Sequence, residues 1–85
     1  MNVKIVAVEH NANSLKIKVN GEQDAKYLKE ELRNAGFDGV RIGQSGGLVG
    51  MRLFQMRIPN KKGGSSKETL EFLKSHEYVE FVEKQ

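Results

Sequence analysis

The chain has no cysteine, so disulfides, thiolate zinc sites, iron–sulfur clusters and a cysteine nucleophile are excluded together. It also lacks any apolar run approaching the roughly 20 residues that a bilayer-spanning helix needs. Its start, Met1-Asn2-Val3-Lys4, leads into an alternating apolar segment rather than the apolar block of a secretion signal. A cytoplasmic setting and no membrane partner are therefore expected. Internal repeats and low-complexity tracts are missing, and 85 residues leave room for one core, so 1–85 is read as one small domain. What is present suits that reading. The composition is 38% hydrophobic and 29% charged with both signs interspersed, as in a hydrated two-layer fold. Fourteen Lys and Arg against eleven Asp and Glu, a net charge of +3, bias it mildly toward anionic partners.

Residues Asn2 to Val8 carry apolar side chains in both phases, which suits a central strand covered on both faces. The polar stretch His10 to Asn13 turns the chain into a half-buried strand from Ser14 to Asn20, where Leu15, Ile17 and Val19 alternate with Lys16, Lys18 and Asn20. From Glu22 to Ala35, Ala25, Leu28, Leu32 and Ala35 recur at helical spacing. Gly36 can then adopt the left-handed conformation while Phe37 folds back onto Leu32 in a Schellman closure. A short strand is expected over Gly39 to Gly43, then a Gly-rich turn into a longer strand from Leu48 to Ile58. In that strand Val49, Met51 and Leu53 share one parity and Phe54, Met56 and Ile58 the other. Either both faces are covered or a bulge near Leu53 and Phe54 re-aims the side chains. Pro59 closes the strand, Asn60 to Gly64 form a basic connection, and Ser65 with Glu68 has capping-box spacing for a helix to about Ser75. Tyr78 to Val82 reads as a last strand, with a continuation of the second helix as the alternative.

The order ββαββα(β) predicts an α+β domain with two helices on one face of a mostly antiparallel sheet. The arrangement has partial likeness to the split βαβ, ferredoxin-like layout. One conflict arises, because the last strand would claim the edge of the second strand that the opening hairpin already occupies.

Four surfaces could bind. If Leu15, Ile17, Val40, Ile42, Met51 and Leu53 face the helices, strand alternation puts Lys16, Lys18, Arg41 and Arg52 on the open sheet face with Phe54. Such a face could take RNA or single-stranded DNA by phosphate pairing and base stacking. Lys61, Lys62, Gly63, Gly64, Ser65 and Ser66 lead into a helix N-terminus, where free N–H groups attract phosphate or carboxylate. The spacing is not that of a P-loop, and capping alone accounts for the serine. Met51, Phe54, Met56, Tyr78 and Phe81 could form a protein interface by edge addition or face packing, although a core uses the same residue types. The loop Gly43-Gln44-Ser45-Gly46-Gly47, with Gly50 beyond it, could allow close backbone approach.

Catalysis has little support. His10 and His76 belong to no metal-ligand spacing, and Ser45, Ser65, Ser66 and Ser75 have no sequence-evident base and orienting acid. Neither cofactor nor metal is expected. The expectation is a non-catalytic binding module, foremost a protein-interaction or self-associating regulatory domain, with nucleic acid second and an anion at the Gly-rich loop third.

Overall fold

The computed structural model describes residues 2–45 and 53–82. Five strands and two helices follow one another as β1 (Val3–His10), β2 (Ser14–Val19), α1 (Glu22–Asn34), β3 (Arg41–Ser45), β4 (Leu53–Pro59), α2 (Ser66–Ser75) and β5 (Val79–Phe81). The strands form one mixed sheet in the order β3-β4-β2-β1-β5, with three antiparallel pairs and a parallel β1–β5 pair. Parallel relations need crossovers rather than tight turns. Accordingly α1 carries the chain from β2 past β4 to β3, and α2 carries it from β4 past β2 and β1 to β5.

This order resolves the edge conflict. The chain returns to the outer side of β1, where Val3, Lys4 and Ile5 pair with Val79, Glu80 and Phe81. A simple four-stranded split arrangement would set β5 beside β2, and here β1 lies between them. The α+β class therefore holds, while the ferredoxin-like layout does not follow from it.

Each helix end has a local cause. At the end of α1, Gly36 takes φ 95°, its N–H donates to the Arg33 carbonyl, and the Phe37 N–H donates to the Leu32 carbonyl at 2.9 Å. These are the two bonds of a Schellman motif, and the positive φ is why glycine stands at C′. At the start of α2, the Ser65 hydroxyl accepts the Glu68 N–H at 3.3 Å. Ala25, Leu28 and Leu32 of α1 and Thr69, Leu70 and Leu73 of α2 are buried. Their apolar members join Val3, Ile5, Leu15, Ile17, Val19, Met56 and Ile58 from the sheet in one core.

Both-phase apolarity in β1 comes from a register shift between Ile5 and Ala7, not from two covered faces. Val3 and Ile5 point into the core; beyond the shift Val8 is opposite Ile17 and packs on the same cluster. Classical alternation resumes one residue out of phase, with Val6 as the extra residue. In β4 the expected phase is reversed. Phe54, Met56 and Ile58 pair with Val19, Ile17 and Leu15 and face the helices, so Leu53 takes the open side. Arg52, Met51 and the rest of residues 46–52 lie outside the described residues, including the glycines Gly46, Gly47 and Gly50. β3 begins at Arg41 rather than Gly39.

Met56 is 0% exposed. Met56→Ala should lower the unfolding free energy by about 2–5 kcal/mol through lost burial and cavity formation, as read by urea denaturation. A change below about 0.5 kcal/mol, usual for a surface site, would place Met56 outside the core.

Candidate functional site

The face of the sheet away from the helices carries a row of cations set by strand register. Arg41 on β3 is directly opposite Arg57 on β4. Arg57 is in turn opposite Lys16 on β2, and Lys16 is opposite Glu9 on β1. Directly opposed residues in antiparallel pairs have Cα atoms about 5 Å apart, so the three cationic side chains leave the sheet from adjacent backbone positions. Lys16 reaches Glu9 at 3.9 Å, and Asn11 steadies that carboxylate by donating to its Oε2 at 3.2 Å. Among the described residues, Arg41, Arg57 and Lys18 have no carboxylate within ion-pair distance. Like charges placed directly opposite are destabilising, so the Arg41–Arg57 and Arg57–Lys16 pairings work against the fold.

A second row runs parallel to the first. Gly43, Gln55, Lys18 and Ala7 stand opposite one another across β3, β4, β2 and β1. Gln55 separates two shallow hollows. One, of about 370 Å³, is lined by Arg41, Ile42, Gly43, Gln44, Gln55 and Arg57. The other, of about 250 Å³, involves Ala7, Glu9, Lys16, Lys18 and Gln55. Toward β5 the face becomes mixed in sign, with Lys4 opposite Glu80.

Of the expected nucleic-acid face, the structure therefore brings together Lys16, Lys18 and Arg41, and adds Arg57. Phe54 is a correction. It is opposite Val19 and Gln44 and packs half-buried against the core, so no ring lies beside the cations. Arg57 joins the face because β4 takes its parity from Phe54, Met56 and Ile58 rather than from Met51 and Leu53, and the continuous alternation of those three residues is the sequence signal that points to it.

The residues of the expected protein interface differ in burial. Met56 is fully buried, and Phe54 and Phe81 pack against the core cluster. Tyr78 remains 42% exposed, beside Val82 at 56%. In the loop before α2, Lys61 Nζ lies 4.7 Å from the centre of the Phe37 ring. The Gly64 N–H donates to the Lys61 carbonyl at 2.7 Å, and the Glu68 carboxylate lies close to Gly64. Lys62 and Gly63 are exposed. In this loop Lys61 is therefore engaged with a ring and Ser65 with the cap of α2.

The histidines have partners that no spacing indicated. His10 Nδ1 lies 3.2 Å from the Ser66 hydroxyl, joining the end of β1 to the start of α2. His76 Nδ1 accepts the Tyr78 N–H at 3.2 Å, which leaves Nε2 to donate to Glu31 Oε1 at 3.0 Å. The ring thus ties α1 to the α2–β5 turn, and Tyr27, Phe72 and Tyr78 pack around it. No group of three or more potential metal ligands occurs among the described residues, and no helix there is long and apolar enough to cross a membrane.

Compared with family models, curated proteins and solved structures, the chain matches none.

The Tyr27 phenol is raised above its ordinary 10.0 by desolvation first and then by the charge and hydrogen bonding of Glu31. A raised value means the proton is held more tightly in the folded state. The stability this provides is present below pH 10.0 and is lost as pH climbs through the raised value. In Tyr78→Phe, where Tyr27 is the one phenol left, absorbance titration of tyrosinate should give a midpoint above 10.0, and adding Glu31→Gln should lower it. An ordinary midpoint insensitive to Glu31 would refute the assignment.

Proposed function

We propose that the protein is a non-catalytic binding module that takes single-stranded RNA or DNA on the open face of its sheet, chiefly through phosphate contacts. The observation that carries this reading is the cross-strand row Arg41–Arg57–Lys16, with Lys18 alongside. Three cations opposite one another oppose folding and become favourable when an anion chain lies over them and releases its counterions. Phe54 lies on the other side, so the ring stacking that would add roughly 1–3 kcal/mol per base plays no part. Affinity on this account is moderate, dominated by charge and tolerant of sequence. A flat face suits a flexible strand better than a rigid duplex, whose grooves favour an inserted helix or ribbon.

A protein-binding role is the second reading, favoured by the exposure of Tyr78 and Val82 beside the short edge strand β5, where another chain could add. A monomer by light scattering, unchanged by Tyr78→Ala, would remove its self-association form. The charged face covers more of the sheet and has the stronger physical reason to seek a partner, so nucleic acid is preferred.

The test is fluorescence anisotropy with labelled oligo-dT and oligo-U across a salt series. At about −0.7 per phosphate contact on a single strand, four cations should give a slope of log K against log salt of about −3. Arg41→Ala with Arg57→Ala should make that slope shallower by about 1.4 on the same rule and weaken binding at low salt. Binding that ignores both salt and the double substitution, or no binding at low salt, would contradict the reading.

A further inference from the structure

Gly43 sits in the middle of β3, between Ile42 and Gln44, and its side-chain direction is fixed on the open face by pairing with Gln55. Two structural reasons for a glycine are absent there. Its φ is not positive, and a Cβ built on it would meet nothing within 4 Å. Glycine inside a strand weakens it by entropy and lost side-chain packing, and it commonly marks a place where a ligand comes close to the backbone. Gly43 lines the hollow of about 370 Å³ together with Arg41, Arg57 and Gln55.

Resting on the reading of the face as a single-strand site, we propose that this hollow is a nucleotide subsite. A base lies against the bare backbone at Gly43, a guanidinium of Arg41 or Arg57 covers its face while keeping its own phosphate contact, the other pairs with the adjoining phosphate, and the Gln55 amide meets the base edge. Guanidinium planes stack on unstacked bases as aromatic rings do, which supplies the contact that Phe54 does not make. Glutamine offers both a donor pair and an acceptor, so it can meet any base edge. Gln55 also borders the hollow beside Lys18. The strand therefore crosses β3, β4 and β2 in turn, with Glu9 on Lys16 marking where the phosphate path stops.

The experiment separates this inference from the reading beneath it. Wild type and Gly43→Val are titrated with an oligonucleotide and with an abasic phosphodiester of equal length. Valine changes no charge, has room, and favours strand, so the melting temperature should not fall. The subsite predicts that wild type binds the base-bearing strand at least about fivefold more tightly than the abasic one, the factor to which the lower end of a stacking contact of about 1–3 kcal/mol corresponds. Gly43→Val should remove that preference while leaving the salt slope and abasic binding unchanged. Gln55→Ala, a second variant on a different strand, should reduce the preference in the same way and guards against a folding defect at β3. Equal binding of the two strands by wild type, or a preference that survives both substitutions, would overturn the subsite yet leave phosphate binding intact. Absence of binding to either strand would overturn both.

Discussion

Met56 lies at the crossing point on which the faces of the sheet depend. It is opposite Ile17 on one side and Ile42 on the other, in the middle strand of three, and is sealed from solvent. Because side chains alternate with a period of two, a slip of one residue in β4 would turn Met56 and Ile58 outward and drive Arg57 into the core. Burying an unpaired guanidinium costs far more than any surface contact returns. The same constraint that builds the core therefore holds Arg57 on the open face, in register with Arg41 and Lys16. Core and candidate site are two sides of one pairing.

That coupling also explains how the sheet tolerates its cations. Opposed like charges each cost on the order of 0.2–1 kcal/mol, less than the burial of one large apolar side chain supplies. Exposure and salt screening reduce the cost further. At the far end of the sheet, β5 has three residues and is held by its parallel bonds to β1 and by the turn that His76 fixes between Glu31 and the Tyr78 N–H. The two ends differ accordingly: a cationic face over β3, β4 and β2, and an aromatic, mixed-charge corner where α1, α2 and β5 meet.

The elements were legible in the sequence because each has a local signal. Helical spacing of Ala25, Leu28 and Leu32 marked α1, Gly36 and Phe37 marked its end, Ser65 and Glu68 marked the start of α2, and Pro59 closed β4. Phase was harder. Val6 and Val8 resemble a two-faced strand until the register shift at Ile5–Ala7 is known, and a shift depends on the partner strand. For β4, the run through Met51 and Leu53 outweighed the better-patterned Phe54, Met56 and Ile58, which exchanged the sides of Phe54 and Arg57. Lys16, Lys18 and Arg41 were readable from alternation alone. Their alignment into a row was not, since it requires the sheet order, and neither were the contacts of His10 and His76, which join residues 56 and 45 positions apart.

The most direct test of the central claim, that the open sheet face is the binding surface, is the backbone amide spectrum of the isotope-labelled protein during titration with a single-stranded oligonucleotide. Binding on this face should move the amides of Lys16, Lys18, Arg41, Gly43, Gln55 and Arg57 together while α1, α2 and the Lys61 to Ser66 loop stay fixed. Shifts centred on Tyr78 to Val82 or on the Lys61 to Ser66 loop, with the open face silent, would contradict it.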